Sequence, residues 1–436
     1  MYSPSMVSQK RQEIKDLDFY ADKWEDYLSW GAIFIMNADK NLVFKSAAVA
    51  AALLFSSSIV FAQTHFSGFA GVAGNIGTEK DSGKVQLTTD TFFAGQLDLF
   101  GKVQMRAGAT VHTANLISQD VFQSIPASFT LDEFSLTLRL PCCHATRYLA
   151  LFAGEYESIG SDLFLQRHFG ILPIASRITE TWLGLTDTVI YPFSGFGAAY
   201  VFKLRTPQAF GAYIYMNDRD DQSRINTDLR FGGVFPVITV DFSFGFGFPI
   251  LIGDSGEETA VSLNRQIEFH AGTTLVVGNT HTANLFLQVG VNKVLLTPAE
   301  GEKPLQLSDL YFLIEPRFKA DFMNFHFTLF NLPSRVMQDL FFVSNPLGCD
   351  LAIFAESIHA GVFNFTLGAH FTVSAYDTTL NNFSDFTTSD LSFRFSPFAE
   401  TPLFKGTLMS RFTIDFMRFE EMHKTIQFSL GYKVQL

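Results

Sequence analysis

From about residue 63 onward, apolar and polar side chains take turns along the chain. In TFFAGQLDLFGKVQMRAGATVHT, residues 91–113, Phe93, Gly95, Leu97 and Leu99 share one parity, followed by Val103, Met105, Ala107, Ala109 and Val111. Gln96, Asp98, Lys102, Gln104, Arg106 and Thr110 stand between them. Successive side chains of a strand point to opposite faces, so a period of two predicts strands with one apolar and one polar face. Leu99-Phe100-Gly101-Lys102 predicts a tight turn, which makes the pair an antiparallel hairpin. Each arm has about the ~9–11 residues that a tilted strand needs to cross a bilayer.

The pattern recurs. LDEFSLTLRL sets Phe134, Leu136, Leu138 and Leu140 against Ser135, Thr137 and Arg139. DLSFRFSPF sets Leu391, Phe393 and Phe395 against Ser392, Arg394 and Ser396. NLFLQVGVNKVLL and VFNFTLGAHFTVSA repeat it with weaker polarity. Helical periodicity is scarce. Tight connections are predicted at Leu99–Lys102, Pro141–Thr146, Thr206–Gln208, Thr239–Phe242, Asn279–Thr282, Ala320–Phe322, His359–Val362 and Phe398–Leu403. Asp98-Leu99, Asp241-Phe242 and Asp321-Phe322 are read as similar turn steps, because a short Asp caps its own backbone. Longer polar connections fall between them, at 112–130, 157–188, 217–227, 253–264, 297–308, 332–349 and 376–388. Tight turns on one side and longer loops on the other predict an all-β, antiparallel transmembrane barrel. A greedy division yields about 18 strands; discounting the weakly polar segments leaves an expectation of about 16, in a range of about 14–18, with both ends on the short-turn side.

The two ends fit that expectation. TIQFSLGYKVQL, residues 425–436, alternates to its last residue. A free amphipathic strand is an aggregation hazard, whereas in a closed barrel it pairs with the first strand, here THFSGFAGVAG at 64–74. Near the other end, KNLVFKSAAVAAALLFSSSIVFAQ carries Lys40 and Lys45, a short apolar core and small residues at Val60 and Ala62. That is the layout of a signal peptide, residues 36–62, with cleavage after Ala62. The acidic stretch ahead of it is read as an over-extended start, residues 1–35, with translation beginning at Met36. The exported protein is then residues 63–436.

Composition narrows the class. Residues 1–62 hold 6 Lys and Arg and 7 Asp and Glu; removing them from 31 and 43 leaves 25 and 36, so the exported chain is near −11. That excludes a basic nucleic-acid binder. Hydrophobic residues are 47% of the chain, Phe counts 50 and Trp 3, yet no apolar run after Gln63 approaches the ~20 residues of a membrane helix. A Phe-rich soluble β-sandwich would satisfy the composition, but it would not need such regular polar alternates. Cys142, Cys143 and Cys349 form no disulfide framework for a chain of this length.

The last residues resemble the C-terminal assembly signal of bacterial outer-membrane β-barrels: Ser429, then Gly431, then apolar residues at alternating final positions, Val434 and Leu436. The family prefers Phe at the end where this chain has Leu436; Tyr432 supplies the aromatic. The resemblance covers the architecture over residues 63–436 and is porin-like. It implies the cell outer membrane as location, with the outer-membrane lipid bilayer, the barrel assembly machinery and small solutes as partners, and no nucleic acid.

Polar alternates that face inward would line a lumen. Arg106, Arg139, Arg317, Lys319 and Arg394 are basic candidates; Asp98, Glu133 and Glu315 are acidic. Charged rings select ions by sign, and the acidic total leans toward cations; a solvated wall without selectivity is the plain alternative. Residues 154–182 form the longest stretch without clean alternation. Its Glu155, Glu157, Asp162, Arg167 and His168 make it the candidate constriction, if it folds inward rather than lying on the surface. Cys142, Cys143 and His144 lack the usual zinc-ligand spacing and read as a turn. Neither G-x-S-x-G nor H-E-x-x-H occurs, and the histidines are scattered, so an enzyme is not expected. No metal or organic cofactor is implied. The functional expectation is a channel for small solutes. Its alternatives are a barrel that binds through its loops, as an adhesin or receptor, and a hydrophobic-solute transporter, which would need an N-terminal plug.

Overall fold

The computed structural model describes residues 64–78, 84–117, 127–142, 145–179, 190–191, 193–219, 222–254, 259–263, 266–333, 342–343, 345–361, 363–375, 380, 387, 390–417 and 426–436. The leader and start expected over residues 1–62 lie outside them, as do Cys143 and His144. The strands in chain order are β1 (Thr64–Thr78), β2 (Val85–Leu99), β3 (Val103–Thr113), β4 (Ala127–Pro141), β5 (Ala145–Glu155), β6 (Ser194–Leu204), β7 (Gln208–Arg219), β8 (Gln222–Val234), β9 (Ile238–Asp254) and β10 (Thr259–Leu263). They continue as β11 (Glu268–Asn279), β12 (Ala283–Leu295), β13 (Leu310–Ala320), β14 (Met323–Asn331), β15 (Leu347–Ala360), β16 (Phe363–Ala375), β17 (Leu391–Leu403), β18 (Gly406–Asp415) and β19 (Gln427–Gln435). One helix, α1 (Leu163–Phe169), interrupts the β5–β6 connection.

Apart from β10, each strand pairs antiparallel with the next along the chain, and β19 pairs antiparallel with β1 from Phe69↔Gln435 to Ile76↔Phe428. The Leu436 amide adds a bond to the Gly68 carbonyl, 2.8 Å. The sheet therefore closes and leaves no edge, the condition for a sheet in lipid. β10 pairs with the far end of β9, while β11 takes β9's register from Glu268↔Gly247 onward. β10 is thus an arm on the long-loop side, and the wall itself has eighteen strands. The expected sixteen falls short because weakly polar segments such as 285–295 and 363–375 are wall strands in their own right.

Eight connections of two or three residues lie on one rim: 100–102, 142–144, 205–207, 235–237, 280–282, 321–322, 361–362 and 404–405. Phe100 and Gly101 have φ of 53° and 64°, the left-handed pair that matches strand twist in a two-residue hairpin. Two expected turns move. Asp241-Phe242 sits inside β9 and the turn falls at 235–237; β17 runs through to Leu403 and turns at 404–405. Asp98 is likewise a strand residue, which leaves Asp321-Phe322 as the Asp step that does turn. Polarity misled here, because an inward-facing Asp reads like a loop Asp. Most of the expected loop at 217–227 is also strand, since β7 runs to Arg219 and β8 starts at Gln222.

Alternation resolves into outside and inside. Leu149 and Leu151 are 47% and 49% exposed on the outer face, while Ala150 and Phe152 between them are 1% and 2% exposed. The same holds in β8: Leu229 is outward, and Arg224, Asn226, Asp228 and Arg230 are buried inward. An apolar outer belt with charged residues inside is the reverse of a soluble protein and is what lipid requires. A β-bulge at Gly108/Ala109 opposite β4 turns both Asp132 and Glu133 inward, where they take the hydroxyls of Thr110 (2.6 Å) and Ser135 (2.7 Å).

Candidate functional site

The described parts of the connection from β5 to β6, residues 156–179, 190–191 and 193, lie inside the barrel. Its neck is a single antiparallel bridge between Ile159 and Tyr191. Beyond it Asp162 ties the loop's own turns, accepting from the amides of Ile174 (2.7 Å) and Ala175 (3.3 Å) and from Gln166 Nε2 (2.6 Å). α1 ends at Gly170, whose φ of 67° lets its amide cap the Gln166 carbonyl.

Three charged clusters fix the loop to the wall. In the first, Glu157 is fully buried and meets His168 Nε2 at 3.1 Å, Arg167 Nη1 at 3.7 Å and the Tyr213 hydroxyl, which donates at 2.6 Å. Burial pushes the Glu157 carboxyl up, but His168, Arg167 and Tyr213 outweigh it and hold it down at about 2. Arg167 also pairs with Glu133 on β4. Arg230 on β8 donates to the Glu157 and Ser161 carbonyls and pairs with Asp241 on β9.

The second anchor is Glu315 on β13. It accepts from Ser176 of the loop, Thr328 Oγ1 (2.6 Å) and Arg317 Nε (2.6 Å), with His326 Nδ1 at 3.4 Å. Arg317 in turn donates to the loop carbonyls of Ile174 (2.9 Å) and Ala175 (3.2 Å). At the third, Arg177 pairs with Glu400 of β17 at 3.1 Å and lies over the rings of Phe354 and Phe398, 4.2 and 5.0 Å from their centroids. Gln288 of β12 donates to the Gly160 carbonyl, 2.5 Å. Buried charges held this way are paired across several strands, and removing one partner would strand the others.

Glycines hollow the wall to receive the loop. A Cβ on Gly272 would stand 2.7 Å from both Ile159 and Ile190. At Gly245, register partner of both Asp228 and His270, the missing Cβ lets the carboxylate reach across β9 to the imidazole, 2.6 Å. Tyr191 then stacks on His270 with centroids 3.7 Å apart. Farther round, Phe342 from the β14–β15 connection stacks on His370, which pairs with Asp350 at 2.8 Å. Together these segments build a hydrophobic core inside the barrel, with Phe152, Tyr156, Ile159, Phe164, Ile190, Phe193, Phe286, Phe330 and Phe354 among its members.

The wall from β1 to β3 differs. Asn75 donates to Asp90 (3.0 Å), and Asp90 meets His112 at 2.6 Å. Below them Arg106 donates to Gln96 (2.7 Å), and both Gln96 (2.8 Å) and Gln104 (3.0 Å) donate to Asp98. These side chains bond to one another along the wall, and the Asp90 and His112 side chains remain 26% and 46% exposed.

All the candidate lumen residues have inward parity, but they divide. Arg106 is largely buried, within electrostatic reach of Arg167, Tyr156 and Glu157 of the loop, whereas Arg139 is exposed. Glu315 and Arg317 lie beneath the loop. Lys319 pairs with Glu356 near the rim at 3.1 Å, and Arg394 sits 3.8 Å from Asp415. Of the candidate constriction residues, Glu157 and Arg167 form one anchor, Asp162 holds the loop together, and Glu155 is the last residue of β5. Ser429 and Gly431 face inward and are buried; Tyr432, Val434 and Leu436 have outward parity along the closing strand. Sequence reasoning missed Ser176, Arg177, Tyr191, Arg230, Tyr213 and Gln288. The strict alternation of Arg224, Asn226, Asp228 and Arg230 was a usable signal for an inner wall. Among the described residues, no group of three or more His, Cys, Asp or Glu converges as metal ligands would.

No family model matches the chain, and no curated protein does. Among solved structures, a substituted form of the Rh. blastica porin aligns over 86% of this chain and 100% of its own, at 8% identity and a TM-score of 0.41. Salmonella typhi OmpF in complex with daunomycin aligns over 86% of this chain and 97% of its own, at 11% identity and a TM-score of 0.38. Likenesses at this level carry no weight of their own, so the porin-like architecture rests on the barrel itself: closed, antiparallel, apolar without and polar within.

Proposed function

We propose that the protein is an outer-membrane channel that passes small solutes, and that they move along the inner face of β1–β3. The observation that carries this reading is the polar run on the inner face of β1–β3, partly exposed at Asp90 and His112, while the loop's hydrogen bonds and ion pairs fall on β4, β6, β7, β8, β12, β13 and β17. A barrel of this size leaves room for an aqueous path even with a loop inside it. On this reading the rim of tight turns faces the periplasm. The test is current across a planar lipid bilayer after insertion of the refolded chain. Discrete conductance steps are expected; a folded, heat-modifiable barrel that inserts and stays silent overturns the reading. Silence would favour the second reading, binding through the loops. Its support is the hydrophobic core that described residues of the β5–β6 and β14–β15 connections build inside the barrel.

A further inference from the structure

We propose that the tight-turn mouth of the barrel holds a site for small oxyanions, phosphate or carboxylate, built on Arg139 and Lys203. The two lie on the inner face of β4 and β6, flanking β5. Arg139 is the register partner of Tyr148, and Lys203 that of Thr146, two residues nearer the turn. With strands ~4.8 Å apart, two long side chains that flank one strand can converge on one anion beside Tyr148 of that strand.

The charge here is uncompensated. Among the described residues no carboxylate lies within 4.0 Å of either cation. The acids of this part of the wall are engaged elsewhere: Glu133 with Arg167, and Asp98 with Gln96 and Gln104. Lys102 and Arg205, in the adjoining turns, add to the same sign. A basic sector at one mouth of a chain with net charge −12 is not what its composition supplies by default. Across the same rim, Lys319 is already matched by Glu356. Lys203 is also held in place: its Nζ donates to the His168 carbonyl at the end of α1 and sits 5.4 Å from the Phe169 ring. Two of its three donors remain for a ligand. Arg139 is exposed and offers the planar fork that suits two oxygens of a phosphate or carboxylate. The site stands whether or not the lumen conducts.

The test is calorimetric titration of the refolded full chain in an uncharged detergent at low ionic strength, with inorganic phosphate in one arm and acetate in the other. Saturable binding in either arm is expected, and the tighter arm identifies the oxyanion class. Arg139→Gln should weaken it by about tenfold or more, the worth of a hydrogen-bonded charge. Lys203→Met in addition should abolish it. Arg147→Gln, on the outer parity of β5, should leave it unchanged. Heat-modifiable mobility reports whether each variant is folded; since Arg139 carries no loop contact, that variant decides the matter even if Lys203→Met fails to fold. Absence of saturable binding, or equal effects of Arg139→Gln and Arg147→Gln, overturns the proposal.

Discussion

The two parts of the inner wall solve the same problem differently. From β4 round to β17, several inward charges are buried and tied both to the loop and to neighbouring strands: Glu315 takes Ser176 of the loop with three wall partners, and Arg230 reaches two loop carbonyls and Asp241. From β1 to β3, inward polar groups satisfy one another along the wall, as in the run Arg106–Gln96–Asp98–Gln104, and water can finish the task. Buried charge is costly unless fully paired, so the first wall is committed to one arrangement of the loop. The second is not, because exposed pairs are worth little and lose little. The same alternating strand thus supports a packed interior in one sector and a wettable surface in another. The difference lies in what is laid over it.

This contrast can be broken from either side. The largest effect is expected at Glu315→Ala, which leaves Arg317 on the wall and Ser176 of the loop without their carboxylate. About 3–5 kcal/mol of stability should be lost, read as a shift in the urea midpoint of the folded species. On the outer face, Leu97→Arg should cost about 2–4 kcal/mol if it lies near the bilayer midplane. Gln104→Arg, on the inner parity of the facing strand, should assemble normally, and equal losses would contradict the facing assignment. Gly272→Val would drive a side chain into Ile159 and Ile190 and should cost about 1–3 kcal/mol, with a measurable rise in proteolysis of the loop.

Acid sharpens the comparison. The Glu157 carboxyl is held at about 2, below its ordinary 4.5. A depressed carboxyl contributes stability that is whole above its unfolded value and is lost as pH falls toward its folded one. The loop anchor should therefore weaken progressively between about 4.5 and 2, read as proteolytic release of the 156–193 segment, and be insensitive above that window. The smallest effect belongs to the less covered wall: Asp98→Asn should cost about 1 kcal/mol or less by the same urea assay.

Much of the barrel was legible. Period two, the rim of tight turns and the amphipathic last strand all follow from local chemistry, since lipid on one face and polar groups on the other impose parity on each strand. Turn positions were less legible where an inward Asp imitated a loop Asp, as at Asp241, whose partner Arg230 is eleven residues away. The candidate loop was visible as a break in alternation, and Glu157 and Arg167 stood out in it by charge. Its destination was not visible, because contacts such as Ser176 to Glu315 and Arg177 to Glu400 join residues 139 and 223 apart in sequence. The glycines that receive the loop carry no periodic signal at all. Only the fold shows that Gly272 lies under Ile190.

The most direct test of the divided lumen is thiol access in a background with Cys142, Cys143 and Cys349 replaced by serine. Gln104→Cys on β3 and Thr274→Cys beneath the loop on β11 would each be placed in folded, vesicle-embedded barrels. Their labelling rates by a water-soluble thiosulfonate would be followed by mass. Fast labelling at position 104 with protection at 274 is the predicted result. Equal rates at the two positions would contradict a lumen that is packed on one side and open on the other.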